Sequence, residues 1–183
     1  MDTRTQISTY QTNIAALMRL ADWFDTLKEQ GVYDNTRIII ASDHGFSLQQ
    51  ISELLIDDTA YADSVNQRYG DAEFYFPLLL VKDFGSDEPF TVSDEFMTLA
   101  DVPTIAAQDV IEDPSNPFTG KPINSDEKTA HEQYVIASDE LSISKNNGNT
   151  YLPARWYAVS GSIWDQDNWK LIAHKDVLSS YEK

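Results

Sequence analysis

An α/β fold is what this sequence predicts: a mostly parallel sheet sandwiched by helices, with a C-terminal antiparallel hairpin. Three observations carry that expectation. A continuous apolar run, Ile38 to Ala41, is too short for a helix, rich in β-branched residues, and followed by Asp43, His44 and Gly45. Such a run reads as a strand buried on both faces, the kind found inside a parallel sheet. A helical pattern feeds directly into it, which is half of a β-α-β crossover. Near the C-terminus, two aromatic-rich stretches flank a polar turn, the signature of a hairpin.

Taken in order, the first element is a helix. Ile14, Leu17, Met18, Ala21, Phe24 and Leu27 recur at helical spacing, so one stripe is expected to face a core. Lys28 falls in its last turn and Gly31 is placed to cap it, with Val32 just beyond. Tyr33-Asp34-Asn35-Thr36 then turns the chain into strand 38–42. Residues 46–72 are less regular: Ser52 to Ile56 carries Leu54, Leu55 and Ile56, and Ala60 to Tyr69 reads as a short helix closed by Gly70. Phe74 to Val81 is the second strong strand, with Pro77 at its edge or entry. Asp83 to Glu88 is a loop. Ser93 or Asp94 is placed to cap a helix from Glu95, and Asp101 with Pro103 marks another helical start running to about Ile111. Prolines 114, 117 and 122 with Gly120 make 112–128 turn-rich, Gln133 to Ala137 is a short strand, and Lys145 to Thr150 is a polar loop. The hairpin is expected from Arg155 to Trp164 and from Trp169 to Ala173, around Asp165-Gln166-Asp167-Asn168.

Bulk composition narrows the functional classes. The 183 residues suit one domain, 1–183, and 42% hydrophobic content is globular rather than disordered. Thirteen basic against thirty acidic residues leave a formal charge of −17. That field repels nucleic acid and concentrates divalent cations. The absence of cysteine excludes disulfides and thiolate metal sites. No apolar run reaches membrane-spanning length, and the start carries no basic-then-apolar segment. A glycine-rich phosphate loop, an internal repeat and a Ser-His-Asp order are all missing.

The chemistry concentrates at Asp43 and His44. In open α/β sheets ligands bind beyond the carboxyl ends of the strands. A carboxylate and an imidazole at that edge are oxygen and nitrogen donors suited to a divalent metal, and Gly45 lets the backbone turn sharply after them. Alone, Asp-His-Gly is equally an ordinary turn. His131, beside Glu132, is either a surface residue or a further ligand or phosphate contact, and His174 has no motif around it. Trp156, Trp164 and Trp169 suit either a core or a sugar platform. Asp165 and Asp167 mimic the start of a calcium loop, but the later glycine and acidic ligands are missing.

The longer stretch Trp23 to Gly45 weighs on that choice. It contains Gly31-Val32-Tyr33-Asp34-Asn35-Thr36, the apolar strand, and Ser42-Asp43-His44-Gly45. This resembles the segment "helix, G-x-Y-D-N-T, apolar strand, S-D-H-G" of the sulfatase-like branch of the alkaline phosphatase superfamily, nearest to the lipoteichoic acid synthase type. Phe76 to Val81 resembles that family's next core strand, Ala100-Asp101-Val102-Pro103-Thr104 its "D-x-x-P-T" helix, and Gly120-Lys121 a following turn. The likeness covers roughly residues 8–140.

The resemblance implies an alkaline-phosphatase-like fold that is incomplete here, the chain being the C-terminal part of a catalytic domain. It implies that Asp43 and His44 are adjacent ligands of a divalent metal (Mn, Zn, Mg or Ca); His131, from its place before a strand, is the candidate substrate contact. The parent would be a membrane-anchored hydrolase or transferase acting outside the cell on a phosphate or, less in keeping, a sulfate ester, such as a lipid- or polymer-linked glycerol phosphate. In the family a serine or threonine nucleophile and a further acidic ligand lie upstream, and neither is identifiable here. The isolated chain is therefore expected to be inactive. The other reading is a non-catalytic binding or scaffold module that keeps the fold.

Overall fold

The computed structural model describes residues 3–48, 51, 72–138 and 154–175. The segments expected at Ser52–Ile56 and Ala60–Tyr69, and the Lys145–Thr150 loop, lie outside the described residues. Two compact units make up the chain: Met1–Asp43 with Pro77–Ile123, and His44–Phe76 with Asn124–Lys183.

The first unit opens with helix α1, Arg4–Glu29. Thr3 and Gln6 form a reciprocal capping box, in which Thr3 Oγ1 accepts from the Gln6 amide and Gln6 Oε1 accepts from the Thr3 amide. The helix ends where Gly31 takes a left-handed φ of 69°. The Val32 amide donates to the Leu27 carbonyl and the Gly31 amide to that of Lys28, the paired bonds that close a helix on glycine. Only the C-terminal part of the apolar stripe is covered: Phe24 and Leu27 are half-buried, and Phe24 lies against Tyr33. Ile14, Leu17 and Met18 are exposed, contrary to the core-facing expectation. Periodicity identifies an apolar face; it carries no information about what covers that face.

Strand β1, Ile38–Ala41, pairs with strand β2, Leu79–Lys82, in the register Ile38↔Lys82 to Ala41↔Leu79. Beyond Ala41 the pairing continues through the Ser42 amide to the Leu78 carbonyl and the Leu78 amide to Ser42 Oγ. Where parallel neighbours were expected, this pairing is antiparallel, as is every strand pair among the described residues. An apolar run reports burial and is silent about the direction of the neighbouring strand. Nor is β1 buried on both faces: Ile38 is buried, Ile39 and Ile40 are half-buried and Ala41 is exposed.

Immediately before β1, Arg37 organises this unit. Its side chain is only 5% exposed. Nε and Nη2 both donate to Asp83 Oδ1, at 2.9 and 2.7 Å, and Nη2 also reaches Asp109 at 3.2 Å. Nη1 donates to the carbonyls of Ile105, Ala106 and Gln108. Those carbonyls end helix α2, Val102–Ala107, where the helix dipole is negative and a cation is favoured. The guanidinium plane also lies over Phe84. Lys82, opposite Ile38 in this pairing, works similarly, donating to the Tyr33 and Thr36 carbonyls across the Tyr33 ring.

Helix α2 starts where Asp101 and Pro103 signal it, behind a 3₁₀ turn at Leu99–Asp101. Asp101 is 1% exposed, and its carboxylate accepts from the Thr98 amide, the Thr98 hydroxyl and Asn116 Nδ2. It stays hydrogen-bonded on both oxygens, as burial requires. The helix stops at Ala107 rather than near Ile111, because the backbone turns extended at Gln108, with ψ 137°, and Asp109 then takes a left-handed φ of 59° beside Arg37. No helix follows Ser93: its hydroxyl accepts from the Glu95 amide, but the chain runs on irregularly to Thr98.

In the second unit strands β3 (Gln133–Ser138), β4 (Ala154–Val159) and β5 (Trp169–Lys175) form an antiparallel sheet in that order. Helix α3, Ser125–Thr129, is capped by Asn124 and leads into β3. Strand β4 ends at Val159, not Trp164, because the chain turns at Gly161 with φ 91°. One face buries Tyr157, Val159 and Trp169 with Ala72, and Tyr75, Phe76, Val135, Ile163 and Leu171 pack around them.

Replacing Arg37 by Met should cost about 2–4 kcal/mol, since it leaves helix-end carbonyls without donors. Arg37→Lys should not restore the loss, because an ammonium lacks the planar fork; urea unfolding of the three proteins measures it. The Arg37 hydrogen bonds, then the Phe84 amide, hold the Asp83 carboxyl below its ordinary range. A depressed carboxyl contributes stability above the unfolded aspartate pKa of about 3.9 and loses it as pH falls through the folded value. Asp83→Asn should therefore flatten the acid limb of a stability–pH curve and leave its neutral-to-alkaline part parallel to wild type.

Candidate functional site

The site is built on the exit from β1. Ser42 still pairs with Leu78, so the strand delivers Asp43 immediately past its carboxyl end, exposed. Asp43 is the last residue of the first unit's opening segment and His44 the first of the second unit.

From His44 onward the chain is seated against residues 73–76. The Gly45 amide donates to the Phe74 carbonyl at 2.9 Å. A Cβ on Gly45 would stand 1.9 Å from the Glu73 carbonyl oxygen and 2.8 Å from that of Phe76. No side chain fits there. Glycine's role in Asp-His-Gly is thus close backbone approach, and the sharp turn is not the whole reason for it.

The seat also orients the imidazole. The His44 ring is exposed and stacks on Phe74, with centroids 5.0 Å apart and planes at 25°. Its Nδ1 donates to the Gly45 carbonyl oxygen. A carbonyl oxygen only accepts, so in this hydrogen bond Nδ1 is the donor, and Nε2 is the ring's other nitrogen. Metal-ligating histidines use this arrangement, one nitrogen held by a carbonyl and the other presented to the ion. An Asp43 carboxylate and a His44 Nε2 are a hard oxygen and an imidazole nitrogen, a donor set that suits a divalent cation. Two donors are half of a four-coordinate shell. Among the described residues, no group of three or more His, Asp or Glu side chains is placed to hold a metal.

The remaining candidates are placed as follows. His131 is exposed in the turn between α3 and β3, its amide donating to the Lys128 carbonyl and its own carbonyl accepting from Gln133. The three tryptophans do not form a platform. Trp169 is core, with Nε1 donating to the Ile163 carbonyl at 2.9 Å. Trp164 is exposed and meets Phe76 edge-on, while Trp156 precedes core residue Tyr157 on β4 and so points to the opposite sheet face. Asp165 spends its side chain on the Asp167 amide, closing a turn.

Sequence reasoning did not find Phe74 or the Glu73–Phe76 seat. They lie about thirty residues downstream of His44, with no motif linking the two. Compared with protein-family models, curated proteins and solved structures, the chain gives no match. No helix among the described residues is long and apolar enough to cross a membrane.

Gly45→Ala should be among the most damaging single-methyl changes in the chain. Relieving a 1.9 Å approach to backbone requires the His44–Gly45 segment to leave its seat. The expected loss is about 3 kcal/mol, read by thermal unfolding. Loss of the His44–Phe74 ring-current shift in proton NMR should accompany it.

Proposed function

We propose that this chain is part of a metal-dependent phosphoryl (or sulfuryl) ester hydrolase or transferase, and that Asp43 and His44 are two of its metal ligands. The observation that carries the reading is the His44 ring, exposed at the end of β1 with Nδ1 committed to the Gly45 carbonyl. The likeness of Trp23–Gly45 to the sulfatase-like segment supports the reaction class. A divalent ion bound there would supply Lewis acidity toward a phosphoryl oxygen. The chain's own part is to supply a carboxylate and an imidazole at successive positions and to orient the imidazole ring on Phe74. His131 is proposed as a substrate contact.

On this reading the nucleophile and a further acidic ligand belong with sequence outside these residues. The parent would be membrane-anchored and act on the outer side of the membrane. A second reading, a non-catalytic module that retains the fold, is favoured by one observation: the lack of a third ligand beside Asp43 and His44 among the described residues.

Calorimetric titration of Mn²⁺ and Zn²⁺ into the chain, beside an Asp43→Ala, His44→Ala variant, tests the metal assignment. Weak stoichiometric binding is expected in the parent sequence and none in the variant, with circular dichroism unchanged. Binding that survives in the variant would remove these residues from the metal site. Phosphodiesterase turnover by the chain alone would contradict its proposed incompleteness.

A further inference from the structure

Helix α1 leaves an apolar seam uncovered. Ile7, Tyr10, Ile14, Leu17 and Ala21 follow one another at alternating steps of three and four residues, the 3.5-residue period that keeps one seam facing a second helix. Ile7, Tyr10, Ile14 and Leu17 are 39–53% exposed, and Ala21 is exposed as well. The seam runs most of a 26-residue helix, a length of about 39 Å.

We propose that this seam pairs two copies of the chain through their α1 helices, antiparallel, about a two-fold axis between residues 15 and 16. In that register the layers around the axis join complementary sizes. Tyr10 meets Ala21 of the second copy, and Ile14 meets Leu17. Tyrosine against alanine is the large-with-small match that a packed layer needs.

Charge selects the same arrangement. Between Thr3 and Ala21 the helix carries Arg4 and Arg19 and no acid, whereas Asp22, Asp25 and Glu29 lie near its C-terminal end. Arg4 and Asp25 occupy equivalent positions beside the seam, three heptads apart. Antiparallel pairing sets Arg4 of each copy beside Asp25 of the other, and Asp25 is now held only by an exposed contact to Lys28 among described ion pairs. Parallel pairing would stack Tyr10 on Tyr10 and Ala21 on Ala21 and would form neither ion pair. The −17 charge of each copy opposes association at long range, but it is screened within about 8 Å at physiological salt, and no acid flanks the first two-thirds of the seam. The closed symmetry predicts a dimer and no larger assembly.

Sedimentation equilibrium of the full chain in about 0.15 M salt should show a monomer–dimer equilibrium. Ile14→Glu with Leu17→Glu should abolish the dimer and leave the helical signal unchanged, since both positions are exposed. Arg4→Glu should weaken dimerisation roughly three- to tenfold, the effect of losing two exposed ion pairs, and Arg4→Glu with Asp25→Arg should restore it. A monomer at every concentration would overturn the proposal and leave the seam to a different protein segment. A dimer that survives the seam substitutions would place the contact elsewhere. A dimer lost with the seam but indifferent to the charge exchange would overturn the antiparallel arrangement.

Discussion

The first unit depends on one buried guanidinium. Arg37 stands at the threshold of β1 and spends its donors on three carbonyls that end α2 and on two carboxylates, Asp83 and Asp109. Strand, helix end and the loop after β2 are therefore held by one planar fork, where a larger domain would use apolar packing. The buried apolar residues here are few, chiefly Ile38 and Ile105 among those described, so directional bonds carry a correspondingly larger share. A fork of this kind tolerates little substitution, because its geometry rather than its charge alone satisfies the helix end.

A second constraint acts at the site. Gly45 lies so close to the carbonyls of Glu73 and Phe76 that backbone meets backbone directly. That contact places the Gly45 carbonyl where His44 Nδ1 donates to it and sets the ring on Phe74. The orientation of the imidazole is thus a consequence of a missing Cβ one residue away.

Much of the chain's local structure was legible because it is set by neighbours in sequence. The α1 terminus at Gly31, the strand at Ile38–Ala41, the α2 start at Asp101–Pro103 and the turn at Asp165 each follow from capping, φ preference or side-chain-to-backbone bonds within a few residues. Ser93 shows the limit of such signals. It caps the Glu95 amide as a helix start would, yet no helix follows, because a cap satisfies one donor and cannot supply the packing that sustains a short helix. The hairpin was placed correctly at its turn and misjudged at Val159, where Gly161 ends the strand earlier than the aromatic pattern suggests.

By itself, then, the sequence determined where α1 ends, where β1 and α2 start, which helix face is apolar, and that a carboxylate and an imidazole follow β1 at successive positions. Those features depend on interactions spanning a few residues, which a linear pattern records. Tertiary structure alone decided that β1 pairs antiparallel with β2, that Arg37 closes α2, that Phe74 receives the His44 ring, and that the N-terminal α1 stripe stays uncovered. Each joins groups distant along the chain, or records the absence of such a partner, and apolar periodicity reads the same in either case.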